Sequence, residues 1–233
     1  MKLRIQYLVT LAIVLLFIAS CKKEKVTYED ISTSTVMLFN AYAVSATPAL
    51  TTDAYFDGQK ITMNPLGYAT LLTNLVVSAG TKEVLFKRSA DSSLLARVSG
   101  IELAPQAVHT IYLTGTAGSG SIVVTNDDYT PAPEGKAKIR AIHLSPNMTP
   151  ANFYIADGTT IAEALPFKSY TQYALVDTGA FIFQVRVPQT HAVRGATASI
   201  RLASRQCYTF IARGLVGGNP GLTLQVLNNI KPF

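Results

Sequence analysis

His143 and Ser145 stand two residues apart in the stretch "RAIHLSPNMTPANFYIADG", which Asp157 and Gly158 close. A histidine near a serine suggests acyl transfer, in which the imidazole takes the hydroxyl proton and the oxygen attacks. The spacing argues against it. Alternate residues on an extended strand share a face but lie about 6.5 Å apart along the chain. A nucleophile and its base need a hydrogen bond of about 2.6–3.2 Å and a third group to orient the base. No Gly-x-Ser-x-Gly elbow surrounds Ser145. An earlier stretch, "MLFNAYAVSATPALTTDAYFDG", places Asn40 where the later one has His143. Asparagine can hydrogen-bond a loop backbone but cannot act as a general base. The duty that Asn40, His143 and Ser145 can share is structural: fixing the loop where a first strand turns. Asp57–Gly58 and Asp157–Gly158 read as tight hairpin turns, with glycine supplying a positive φ.

Other chemistry finds less support. His109, His143 and His191 show no metal-ligand spacing among themselves or with Cys207. Asp127–Asp128 and the Asp53/Asp57 pair lack the Asp-x-Asp-x-Asp run of a calcium loop. "GTAGSGS" is glycine-rich but lies between strands, with no following helix to bind phosphate. The expectation is no catalytic residue, no metal and no cofactor. Sugar platforms often use tryptophan, and the chain has none. Its 11 tyrosines, Tyr170 and Tyr173 among them, still offer aromatic faces.

The N-terminus carries its own chemistry. Lys2 and Arg4 precede the apolar run "YLVTLAIVLLFIA", too short for a stable membrane span. Ala19, Ser20 and Cys21 follow, and "FIASC" resembles a bacterial lipobox, whose cysteine becomes a lipid-modified N-terminus. Residues 1–20 are expected to be a lipoprotein signal peptide and 21–33 a tether. Several acyl chains on Cys21 hold durably where one holds weakly. The expected location is the outer membrane, on its periplasmic side or at the cell surface. With Cys21 acylated, Cys207 has no partner in the chain and is expected as a small buried thiol.

Charge narrows the partners. The 233-residue chain carries net charge +6, with 48% hydrophobic and 15% charged residues, a composition that suits a buried core and excludes disorder. The halves differ: Ser34 to Thr130 is net −2, and Lys136 to Phe233 is net +7. In an exported protein a cationic half points to acidic glycan or an envelope protein and away from nucleic acid. Arg186 and Arg201 are expected to point outward, and to form a ligand-binding basic face if their strands share a sheet.

These residues need elements to position them, and the chain repeats its own pattern. "VMLFNAY" matches "AKIRAIH", "DAYFDGQKI" matches "NFYIADGTTI", "LGYATLL" matches "FKSYTQY", and "VHTIYLTG" matches "CYTFIARG", in the same order. Alternation in "FIFQVRV", "ASIRLAS" and "LTLQVLN" marks half-buried strands, and Gly-rich turns recur between them. "TTIAEALPF" could form a short helix. The pattern predicts an all-β chain of two tandem immunoglobulin-like β-sandwich domains, residues 34–130 and 136–233, joined by a linker at 131–135.

The stretch "RAIHLSPNMTPANFYIADG", continued by "ALPFKSYTQYALVDTGAFIFQV", resembles a bacterial module known as domain of unknown function 4397. That module opens with His-x-Ser-Pro, here His143, Ser145 and Pro146, and continues through an Asp-x-Tyr-x-Asp-Gly hairpin. The second half keeps Tyr154, Asp157 and Gly158 with Asn152 at the acidic position. The first half keeps Asp53, Tyr55, Asp57 and Gly58 but lacks His-x-Ser-Pro. The family often occurs in tandem in exported lipoproteins of Bacteroidota type. The resemblance implies a lipid-anchored envelope module for binding or adhesion without catalysis. The alternative is a glycan-binding accessory lipoprotein of a nutrient-uptake system.

Overall fold

Short runs of β-branched and aromatic residues, broken every few positions by Gly, Pro or Asp-Gly, favour strands over helices. The computed structural model describes residues 32–45, 50–148 and 150–229, and every regular element there is a strand. The signal peptide, Cys21 and nearly all of the tether lie outside the described residues. The first half supplies β1 (Thr33–Asn40), β2 (Thr52–Phe56), β3 (Gln59–Lys60), β4 (Leu71–Ser78), β5 (Gly80–Arg88), β6 (Leu94–Leu103), β7 (Val108–Thr116) and β8 (Ser119–Asp127). The second supplies β9 (Lys136–Leu144), β10 (Ala151–Ile155), β11 (Thr160–Leu165), β12 (Ala174–Asp177), β13 (Gly179–Phe181), β14 (Phe183–Arg186), β15 (Val193–Ala196), β16 (Ile200–Leu202), β17 (Cys207–Arg213) and β18 (Thr223–Asn229).

The sheets repeat. Order β4-β1-β7-β8 in the first half recurs as β12-β9-β17-β18 in the second, and β3-β2-β5-β6 recurs as β11-β10-β14-β15. In both, the first strand runs parallel to the penultimate one: β1 beside β7 and β9 beside β17. The chain is therefore two β-sandwiches of one topology. One core holds Val36, Leu38, Phe86 and Leu113; the other holds Ile139, Phe153, Phe183 and Phe210.

The parallel pairs are buried on both faces. Val36 and Leu38 point into their own sandwich, whereas Phe39 and Ala41 join Tyr112, Val123, Ile142, Leu144 and Ile211 in a third apolar cluster. That cluster draws on strands of both halves and seals the sandwiches back to back. Two-sided burial explains the unbroken apolar stretches "VMLF" of β1 and "FIA" of β17. The described chain from Ser32 onward forms one compact unit.

Three local readings change. "TIAEAL" forms β11, with Leu165 paired to Ala151, where the sequence allowed a short helix. "FIFQVRV" is not one strand: Phe181 pairs with Ile200 in the two-stranded β13-β16 sheet, while Phe183 pairs with Ile155. Thr52 bridges Leu66 as Ala151 pairs with Leu165, so the loop "PLGYAT" matches "ALPFKS", two residues away from its sequence alignment.

Candidate functional site

β1 and β9 end at equivalent corners. The Asn40 backbone donates to Thr70 O (3.2 Å) and accepts from Ala69 N (2.7 Å); that of His143 donates to Ser169 O (2.9 Å) and accepts from Lys168 N (2.8 Å). Ala69 and Lys168 both hold positive φ, 61° and 69°. The side chains then do the same work. Asn40 Oδ1 accepts the Tyr42 N–H (3.0 Å) and its Nδ2 donates to Leu66 O (3.1 Å). His143 Nδ1 accepts the Ser145 N–H (3.3 Å) and Nε2–H donates to Met148 O. That network assigns the neutral tautomer. Burial lowers the His143 pKa to about 4, only partly offset by the bond to Met148.

Ser145 Oγ donates to Gly214 O at 2.6 Å. Histidine and serine are both 0% exposed, and the ring nitrogen facing Ser145 bonds its backbone rather than its hydroxyl. Gly214 and its equivalent Gly115 adopt φ of 86° and 111°. A Cβ there would lie 2.2 Å from Gly221 O or 2.1 Å from Ser119 O. Glycine is required where the chain leaves the parallel strand at each corner.

Asp57 (φ 47°) and Gly58 (φ 81°) are the two central residues between paired Phe56 and Gln59. Two positive φ values make this a type I′ hairpin. The second hairpin is one residue longer: Gly158 (φ 104°) donates to Ile155 O, and Ile155 N donates to Thr159 O.

The outer faces of β2-β5 and β10-β14 invite comparison. In the first, Lys87 Nζ lies 4.6 Å from the Tyr55 ring centre and opposite Asp53 in the strand register. Asp53 pairs with Lys60 (3.0 Å), Asp57 with Lys82 (2.9 Å) and Glu83 with Arg97. In the second, Arg186 lies 4.7 Å over the Tyr154 ring and opposite Asn152. Gln184 Oε1 accepts from both Nε and Nη2 of Arg186. His191 meets the Tyr154 ring edge-on at 6.5 Å, and Tyr154 Oη donates to Glu163 (3.0 Å). Among the described residues Arg186, Arg194 and Arg201 make no ion pair; those of this half are Lys136–Asp177, Lys138–Asp128 and Arg140–Asp127. Arg201 lies on β16, in a different sheet from Arg186, so the shared sheet on which a common basic face depended is absent among the described strands.

A dense polar cluster lies at the junction of the two halves. Arg140, on the junction face of β9, is 2% exposed and ion-pairs with Asp127 of β8. Its Nε donates to Thr209 Oγ1 (2.9 Å), and Tyr173 lies 4.7 Å beneath the guanidinium. Asp127 also accepts from Thr110 and Thr125. Burial pushes the Tyr112 hydroxyl up to about 12, although Arg140 pulls it down. The equivalent corners of Asn40 and His143 set Met37 opposite Arg140, two residues away from the match of "VMLFNAY" with "AKIRAIH".

A cleft of about 670 Å³ opens beside this pair, lined by Gln106, Asp128, Tyr129, Arg205, Cys207 and Asn229 among others. Its carboxylates are already engaged, whereas the exposed Arg205 makes no ion pair among the described residues. Asp128 bonds Lys138 and Thr130, and these bonds overcome the effect of its burial to bring its pKa down to about 2. Cys207 is buried, which raises its thiol pKa.

The family model for a domain of unknown function, DUF4397, matches the chain twice, over residues 34–154 and 143–232. No curated protein matches the chain. Comparison with solved structures returns the CBM26-family module CBMbc of Eubacterium rectale Amy13K, solved with maltoheptaose. The identity is 9% and the TM-score 0.26, over 85% of this chain and 98% of that one. An α-glucan-binding streptococcal virulence factor matches at 12% identity and TM-score 0.26, over 84% and 97%. A candidate cell adhesion protein of Bacteroides uniformis matches at 10% and 0.26, over 85% and 98%.

Proposed function

The chain belongs to the DUF4397 family in tandem form, and on that premise we propose that it is a non-catalytic binding or adhesion module of the bacterial envelope, held to the outer membrane by lipid on Cys21. The observation that supports binding over catalysis is the corner geometry. A nucleophilic serine must reach substrate and pass its proton to a base. Ser145 is fully buried, its hydroxyl donates to Gly214 O, and both nitrogens of His143 are occupied by backbone groups. The anchor reading rests on the basic start, the apolar run and "FIASC".

The ligand classes are glycan, which would make the chain an accessory of nutrient uptake, and envelope protein. Binding screens of the full lipidated chain against both separate them. His143→Ala lowers thermal stability and costs no turnover; a turnover lost while the melting temperature holds would overturn the non-catalytic reading. Metabolic labelling with an acyl probe fails in Cys21→Ser, and labelling that persists refutes the anchor. Protease shaving of intact cells reports which side of the membrane displays the module.

A further inference from the structure

Two substitutions separate the outer faces of the repeats, and they are coupled. Asp53 and Lys87 face each other across β2 and β5; at the equivalent register Asn152 faces Arg186 across β10 and β14. The second repeat has an amide where the first has a carboxylate, and a planar fork where the first has a flexible ammonium. Loss of the acid alone would leave a cation with no counter-charge. Exchange to arginine gives that cation a carboxylate-matching geometry, which lysine lacks.

The fork is already held in place. Its face rests on Tyr154, and Gln184 Oε1 takes Nε–H and one Nη2–H. The two Nη1 donors make no hydrogen bond among the described residues. Holding the side chain before the ligand arrives reduces the ordering cost of binding. Exposed Arg194 flanks it on β15, where the register shifts opposite Arg186. Arg194 is the extra residue at that shift, between Val193, which faces Arg186, and Gly195, which faces Val185, and it is exposed to solvent. Among the described residues Glu163 takes the Tyr154 hydroxyl and makes no ion pair with either arginine.

We propose that the outer face of β10, β14 and β15 binds the carboxylates of an acidic polysaccharide, with Arg186 as the recognising fork and Arg194 as the second cation. The proposal deepens the binding reading above and rests on it. Polysaccharide fits better than acidic protein because the aromatic that could anchor a protein partner, Tyr154, is only 6% exposed beneath Arg186. Gln184 and Arg186 instead present polar groups suited to hydroxyls and carboxylates on an open sheet.

The test uses the full lipidated chain in detergent, with polygalacturonate as the acidic glycan, amylose as the neutral one and poly-glutamate as the acidic peptide. Polygalacturonate binds, weakens as salt rises, and loses about ten- to a hundredfold in affinity in Arg186→Gln, as expected for one charge-assisted contact. Arg186→Lys recovers only part of it, whereas Arg201→Gln, on the other sheet, changes it less than about twofold, the scatter of an uninvolved surface charge. Unchanged melting of Arg186→Gln shows that the loss is not one of folding. Undiminished polygalacturonate binding in that variant overturns the proposal. Tighter binding of poly-glutamate also overturns it, in favour of a protein partner. Binding of amylose alone overturns it too but leaves the module reading standing, and the absence of any binding, to glycans or envelope proteins, sinks both.

Discussion

Position for position, Met37 of the first repeat corresponds to Arg140 of the second, Asn40 to His143, and the Asp53–Lys87 pair to Asn152–Arg186. The strands around them pair in the same order. The first repeat neutralises its outer sheet through Asp53–Lys60, Asp57–Lys82 and Glu83–Arg97. The second places its carboxylates elsewhere and buries a cation at the junction, where it meets an aspartate of its neighbour. Duplicated topology thus left the halves unequal: one neutralises its own outer sheet and lends Asp127 and Asp128 to the junction, and the other supplies the junction cations and carries net positive charge. Substitutions that copy one repeat's residue into the other test this inequality.

Arg140→Met has the largest expected effect. It installs the residue of the first repeat and leaves the Asp127 carboxylate, whose side chain is 0% exposed, without its counter-charge. Removing one partner of a buried pair costs about 3–5 kcal/mol. Denaturant unfolding should show that loss, and Arg140→Met combined with Asp127→Asn should regain most of it, because the uncompensated charge is gone. A loss below about 1 kcal/mol, the range of exposed pairs, would mean that the pair does not join the repeats.

This same pair marks the limit of what the sequence discloses. The strand "LTLQVLN" is legible as alternation and Asp57–Gly58 as a turn, because each signal is local. Arg140 stands out in its run, but Asp127 meets it only after the chain crosses the linker and the sandwiches pack. Arg186 and Arg201 look alike in alternating strands. Their separation depends on the break at Ile182, which sends Phe181 and Phe183 into different sheets. The helix formers of "TIAEAL" were overridden by pairing of Leu165 with Ala151, the usual victory of tertiary context over propensity.

His143→Asn should produce the next effect, on pH dependence. With its pKa lowered from 6.5 to about 4, His143 binds fewer protons folded than unfolded in that window. Stability is therefore full above about pH 6.5 and falls as pH drops toward 4, by on the order of 3 kcal/mol. Asparagine reproduces the Asn40 arrangement: Oδ1 can accept the residue-145 N–H. The variant should fold, with a shallower acid loss between pH 6.5 and 4. Some slope should survive, since burial also lowers the pKa of His109. An unchanged slope would mean that the corner histidine is not what acid titrates.

The smallest effect should come from Asp53→Asn, which gives the first repeat the residue of the second. The ion pair lost is to Lys60, whose side chain is 43% exposed, so the cost should stay below about 1 kcal/mol. The bond from Thr62 Oγ1 to Oδ1 can persist with an amide. Lys60 would then lack its aspartate, and Lys87 would face an amide across the strands as Arg186 does now. If an unneutralised cation were sufficient for acidic glycan, this variant should bind polygalacturonate twice, once per repeat. If the planar fork matters, lysine on Tyr55 should add little, less than about threefold, because an ammonium on a flexible stem cannot make the two parallel bonds that a carboxylate accepts. Isothermal titration of Asp53→Asn, and of Asp53→Asn with Lys87→Arg, separates the two, and only the double variant should come close to a second site.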